Sequence, residues 1–296
     1  MIPAELLRSL PLIADGGVGE YLQGKHQNTD RPPEGLNVAR PELVQAAHAD
    51  FLNAGAVLLR TNTRHANRMS LEPFGLEERT EAINNSGAAL ARAAAGDRAV
   101  MMGAIGQFPP GASAESSRAA RERAYGEQIV YLSDTNVQFF LLEHLSLLEE
   151  ARLVLRVARR NSDAPVLAQL RFDALGFTED GIACAEAAKI LAGEGAEALG
   201  VSCSPAPQAL LPLVETLLTQ GLPVSVMAGI LAPGAETPYS TAPALSPTEF
   251  AEALAPFAEL GVSILGGCCG VGPAHIQALA SRVEKQNGRD VVPRTP

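Results

Sequence analysis

The sequence predicts an α/β protein folded as a single (β/α)8 TIM barrel over residues 1–296, and three observations carry that expectation. Short apolar runs alternate eight times with longer Ala/Leu/Glu-rich segments. No linker interrupts the alternation, and barrels of roughly 250 residues stand as one domain. The composition is 47% hydrophobic but only 4% aromatic, without Trp. Such a core is aliphatic, as where Ala-rich helices cover Val/Leu-rich parallel strands.

The eight strand candidates are 10–14, 56–59, 99–105, 137–142, 165–170, 198–201, 222–227 and 262–265. Helices are expected at about 41–54, 76–95, 115–133, 146–160, 180–193, 206–220, 247–259 and 273–286. Ser246-Pro247-Thr248-Glu249 has the form of a capping box with proline at the first helical position. Pro41, Pro205 and Pro273 also fit first-turn positions. Pro/Gly/Ser-rich loops at 107–117 and 231–244 follow strands and are placed to cover a site. The tail, 287–296, reads as irregular. Strand counting alone leaves a doubly wound open sheet as the alternative.

Formal net charge is −10, which argues against nucleic acid as a partner. Arg-rich stretches such as Arg118 to Arg123 and Arg152 to Arg160 read as solvated helix faces. No run is long and apolar enough to span a membrane, and the first residues lack a secretory pattern. Of four cysteines, Cys268 and Cys269 are adjacent. Grouped cysteines in a reducing compartment point to metal or catalysis, so a cytoplasmic protein is expected. No helix carries a clear apolar stripe that commits the chain to, or against, a homo-oligomer.

In such barrels the chemistry sits at the C-terminal ends of the strands. Here those ends hold Asp15, Thr61, Asn62, Glu143, Cys203, Cys268 and Cys269, whereas Cys184 falls within a helix and reads as packing. Three thiolates suit zinc, and three protein ligands leave its fourth position open. Gly266, Gly267 and Gly270 let the backbone bend so that neighbouring cysteines face one ion. Each cysteine taken singly is explained as a small apolar filler; three together at strand ends favour the metal. His65 and His144 follow strand ends near that site, His48 and His275 fall in helices, and His26 lies in the first loop.

Gly266-Gly267-Cys268-Cys269-Gly270, followed by Pro273, His275 and Ile276, resembles the closing zinc motif of the homocysteine S-methyltransferase family. Gly200-Val201-Ser202-Cys203 is similar to its earlier single-cysteine motif. Asp15 to Leu22 resembles its opening strand and loop, Thr61-Asn62-Thr63 its second-strand motif, and Glu143 its strand-four glutamate. The resemblance runs in order over nearly the whole chain. It implies a (β/α)8 barrel with one zinc on Cys203, Cys268 and Cys269. It also implies Asp15 and Glu143 receiving a substrate amino group, with backbone amides near Gly16 and Gly17 holding its carboxylate. Thr61 and Asn62 are carried over as substrate contacts. The implied reaction is methyl transfer from a cationic donor to a small thiol, homocysteine giving methionine.

The chain departs from the family pattern at Ala104 (usually Ser), His144 (usually Thr), Ser202 (usually Asn) and Val226 to Gly229. These positions lie near the acceptor's amino-acid end and bear on which thiol is used. A quaternary ammonium donor calls for an aromatic cage, and the chain has four Tyr and no Trp. That favours a sulfonium donor, S-methylmethionine or S-adenosylmethionine. A Schiff-base lyase would need a strand-end lysine; Lys25, Lys189 and Lys285 are elsewhere. A non-catalytic zinc- or thiol-binding barrel is the other alternative.

Overall fold

The computed structural model describes residues 11–26, 31–108, 117–203, 207–230 and 244–286. Eight parallel strands form one sheet: β1 (Leu12–Ile13), β2 (Leu58–Arg60), β3 (Val100–Gly106), β4 (Phe139–Leu145), β5 (Val166–Leu170), β6 (Ala198–Ser202), β7 (Val224–Ala228) and β8 (Ile264–Gly267). Strands β2 to β8 pair in sequence order, and β1 pairs with β8. A bridge between Ala14 and Leu58 joins β1 to β2, so the sheet closes on itself as a (β/α)8 barrel.

Eleven helices belong to the described residues. They are α1 (Val18–His26), α2 (Leu36–Ala39), α3 (Pro41–Asn53), α4 (Arg68–Leu71), α5 (Thr80–Ala95), α6 (Arg118–Asp134), α7 (Leu148–Asn161), α8 (Cys184–Gly193), α9 (Leu211–Leu218), α10 (Pro247–Glu259) and α11 (Pro273–Gln286). The capping box forms as its residues dictate: Ser246 accepts from the Glu249 N–H, and the Glu249 side chain returns to the Ser246 N–H. No helix among the described residues is long and apolar enough to cross a membrane. Pro205, most of the 107–117 and 231–244 loops, and the tail lie outside the described residues.

The apolar residues divide into two shells. Leu58, Met102, Phe139, Leu141, Leu167, Met227 and Ile264 fill the barrel interior. Their sequence neighbours, such as Leu59, Phe140, Leu142, Ala168 and Leu265, pack outward under the helices. This is the period-two alternation of strands buried on both faces.

Two features differ from the sequence expectation. The stretch after Asp15-Gly16-Gly17 is helix α1 rather than loop, so His26 ends a helix. Gly19 and Gly24 weaken its intrinsic helix propensity, and burial of Val18 and Leu22, one turn apart, supplies the tertiary support. Strand β4 runs to Leu145, so Glu143 and His144 lie within it. Its pairing with β5 shifts register between Leu142 and Leu145, and His144 has φ 58°. This irregularity re-aims two polar side chains at the barrel mouth.

Candidate functional site

Strand β7 lies between β6 and β8, and it gathers the cysteines from both sides. The Cys203 N–H donates to the Met227 carbonyl at 3.2 Å, and the Cys268 N–H to the Ala228 carbonyl at 2.8 Å. Cys203 has φ 46°, in the left-handed region that non-glycine residues avoid, and such residues concentrate at functional sites. Cys203 and Cys268 are joined as a disulfide with Cα atoms 6.0 Å apart. The Cys269 sulfur lies 3.0 Å from that of Cys203 and 3.8 Å from that of Cys268.

Two of the three expected thiolates are therefore paired in this structure. Sulfurs gathered here join by oxidation as a disulfide, and only after reduction can they separate to share a cation as thiolates. A side-chain nitrogen of His144 completes the cluster, so four donor atoms lie within 4.8 Å of one another. Three sulfurs suit a zinc ion whose fourth position stays open, with the His144 imidazole beside them. Burial pushes the Cys269 thiol up to about 12, with the Glu20 carboxylate adding to it. Burial also lowers His144 to about 3, leaving a neutral imidazole at neutral pH. Cys184 is buried at the start of α8, away from this cluster, as its expected packing role requires.

Beside the sulfurs lies a residue to which the sequence reading assigned no role. Arg60 ends β2, and its alternation with Leu58 turns it inward. Its Nε donates to Asp15 Oδ1 at 2.8 Å and its Nη1 to Glu143 Oε2 at 2.8 Å. Nη2 donates to the carbonyls of Asp15 (3.1 Å), Gly267 (2.7 Å) and Gly16. The Arg60 backbone N–H donates to Asp15 Oδ2 at 2.8 Å. Burial alone would lower the guanidinium pKa, but Asp15 and Glu143 outweigh it and hold it above its ordinary value. Burial pushes Asp15 up to about 6, with Arg60 pulling the other way, so at neutral pH this is a buried ion triad. The signal was available in sequence: a charged residue at an inward strand position demands an opposite charge.

The Thr61-Asn62-Thr63 motif is committed to its neighbours. Thr61 Oγ1 accepts from the Ala104 N–H at 3.0 Å and lies 2.6 Å from Thr63 Oγ1, which donates to the Ala104 carbonyl at 2.9 Å. The Asn62 amide donates to the Pro33 carbonyl at 2.8 Å and to Asn37 Oδ1 at 2.9 Å. The Gly17 N–H, expected near a substrate carboxylate, donates to the Val271 carbonyl at 3.0 Å. A Cβ at Gly16 would meet that same carbonyl oxygen at 2.0 Å, which is why this crossing requires glycine.

A pocket of about 360 Å³ opens over these groups. Of the expected residues, Gly17, Thr61, Asn62, Glu143, Cys268 and Cys269 line it. Asp15 is fully buried and lies behind Arg60, with Gly16, outside the lining. Arg60, Arg64, His65, His144, Glu34 and Glu20 complete the polar wall. Glu34 Oε1 accepts from the His65 N–H at 2.9 Å. Arg64 Nε is buried without a hydrogen-bond partner among the described residues.

The sequence profile of the homocysteine S-methyltransferase family matches residues 12–283, from β1 through α11. The chain belongs to the homocysteine S-methyltransferase family. Relatives include methionine synthase of Mycobacterium tuberculosis, 29% identical over 94% of this chain and 25% of that protein. The chain thus spans about a quarter of the length of the mycobacterial methionine synthases it matches. Betaine–homocysteine S-methyltransferase 1 of Xenopus laevis is 30% identical over 94% of this chain and 74% of that one. Among solved structures, the metallated form of the homocysteine methyltransferase MmuM from Escherichia coli shares the fold, with TM-score 0.74 and 22% identity over 95% of this chain and 99% of that one. The family match agrees with the resemblance read from the sequence.

Proposed function

We propose that this chain is a zinc-dependent S-methyltransferase that transfers a methyl group from a sulfonium donor to a small thiol, homocysteine being the family's reference acceptor. The observation that carries the reading is the convergence of Cys203, Cys268 and Cys269 beside His144, with Cys268, Cys269 and His144 lining the pocket.

Reduced, Cys203, Cys268 and Cys269 would hold the zinc. When bound, that ion would lower the pKa of an acceptor thiol so that a nucleophilic thiolate exists near neutral pH. The residues of the chain do the rest. Ties of Cys203 and Cys268 to β7 hold two sulfurs in place before any ligand arrives. The Arg60 triad braces the strand ends of β1, β2, β4 and β8 against one another, which fixes the pocket floor. Glu143, Glu34 and Glu20 place carboxylates around a pocket that must accept a cationic donor. Attack by the thiolate on the methyl carbon forms the new C–S bond. The old C–S bond breaks with its electron pair going to the donor sulfur, which leaves as a neutral thioether.

Among the described residues no Phe, Tyr or Trp lines the pocket. A sulfonium donor, S-methylmethionine or S-adenosylmethionine, suits such a wall better than betaine, whose quaternary ammonium favours an aromatic cage.

The test is zinc content per chain, measured anaerobically for the native protein and Cys203→Ser, followed by methyl-transfer assays on a panel of thiols with each sulfonium donor. One zinc in the native protein, lost in the variant, together with thioether formation, supports the reading. No zinc under reducing, zinc-replete conditions overturns it.

A further inference from the structure

We propose that Glu34 and Arg64 form a clamp for the head group of an α-amino acid, with the ligand ammonium on Glu34 Oε2 and its carboxylate on Arg64. The clamp rests on the methyltransferase reading and holds one of its two amino-acid substrates, the thiol acceptor or the sulfonium donor.

Both side chains line the same pocket, and each feels the other's charge. Glu34 sits on a short 3-10 turn, Pro33–Gly35, and is 2% exposed. Its Oε1 accepts from the His65 N–H at 2.9 Å, whereas Oε2 is buried with no hydrogen-bond partner among the described residues. Arg64 Nε is buried without a partner too, so the two side chains attract but neither orphan atom bonds the other. A buried acceptor and a buried donor left open in one pocket wall are costly. An α-amino acid satisfies both with charge-assisted hydrogen bonds, its ammonium donating to Oε2 and its carboxylate accepting from Nε.

Both groups are held before a ligand arrives. The Asn62 amide donates to the Pro33 carbonyl at 2.8 Å, which ties the turn that bears Glu34 to the end of β2. The Arg64 carbonyl accepts from the Gly106 N–H at 2.7 Å, which ties its backbone to β3. A Cβ at Gly106 would meet Arg64 Cγ at 2.6 Å, so glycine there makes room for the arginine stem.

The neighbouring charges favour the same ligand. Asp15 and Glu143, the carboxylates that the family resemblance implies for a substrate ammonium, both accept from Arg60, and Asp15 is fully buried. Burial raises the Glu34 pKa and the Glu143 charge adds to it, while the His65 N–H and Arg64 pull it down. An ammonium on Glu34 relieves the repulsion between the two carboxylates. Arg64 also acts on Cys269 and His144, so the clamp stands beside the sulfur cluster.

Truncated ligands test the clamp and separate acceptor from donor. L-homocysteine is compared with 4-mercaptobutanoate, which lacks the ammonium, and with 3-aminopropanethiol, which lacks the carboxylate. S-methylmethionine and S-adenosylmethionine are each compared with their own deamino and decarboxy forms. Calorimetry measures binding of each ligand to the reduced, zinc-supplied wild type, Glu34→Gln and Arg64→Met, and methyl transfer to homocysteine is followed in parallel. Glutamine keeps an acceptor for the His65 N–H, and methionine keeps the packing of the stem. We expect Glu34→Gln to weaken the intact amino acid about tenfold or more and leave its deamino form unchanged. Arg64→Met should weaken it by a similar factor and leave its decarboxy form unchanged. This pattern in the thiol series assigns the clamp to the acceptor, and in a sulfonium series to the donor. If one variant does not fold, the other decides. Equal losses for intact and truncated ligands, or no loss in any series, overturn the inference. Methyl transfer without the selective pattern overturns the clamp alone. The selective pattern without methyl transfer supports the clamp and counts against the methyltransferase reading.

Discussion

The backbone N–H of His144 donates to the Ser202 hydroxyl at 3.0 Å. This bond spans the barrel mouth from the irregular end of β4 to the end of β6, one residue before Cys203. The sequence resemblance marks both positions as departures, and in the structure these two residues touch. A serine hydroxyl here accepts the N–H that the left-handed backbone of His144 presents.

Ser202→Ala should leave that N–H without its acceptor and lower stability by about 1 kcal/mol. Ser202→Thr, which keeps the oxygen, should restore most of it. Urea denaturation of the three proteins checks this, and equal midpoints would refute it.

Zinc and the Cys203–Cys268 disulfide compete for the same sulfurs. The oxidised protein, denatured without reductant, should show only Cys184 and Cys269 as free thiols. It should take up zinc only after reduction. Thiol titration beside zinc analysis reads this directly; full zinc uptake by the oxidised form would contradict it.

Asp15→Asn breaks a buried ion pair and leaves Arg60 short of one charge partner. The expected cost is about 3–5 kcal/mol, seen as a lower melting temperature, with zinc content unchanged because Asp15 lies behind the guanidinium. An unaltered melting temperature would show that the triad does not brace the strands.

His48 is fully buried in α3, with neither ring nitrogen partnered among the described residues, and burial lowers its pKa to about 4. In the unfolded chain this group protonates near the ordinary imidazole value of 6.5. Between those values the unfolded state binds the extra proton. The stability His48 contributes is therefore present above pH 6.5 and lost as pH falls toward 4, by about 3 kcal/mol. His48→Leu should flatten this part of the stability profile. A wild-type profile already flat between pH 6.5 and 4 would sink the assignment.

The barrel, its eight strands and the three cysteines at strand ends were determined by the sequence alone. Hydrophobic periodicity and cap residues are local signals, and the run from Gly266 to Gly270 is dense enough to identify the family. Helix α1 was not legible, because two glycines hide a helix held by the burial of Val18 and Leu22. The partners of Arg60 were beyond reach for a different reason. Its ion pairs link residues 45 and 83 positions apart, and only closure of the barrel sets those distances. The entry of His144 into the sulfur cluster likewise depends on the register shift in β4. A strand's own residues announce its pairing and burial, but which charges meet at the mouth of a closed sheet is decided by register and curvature, and these exist only in the folded chain.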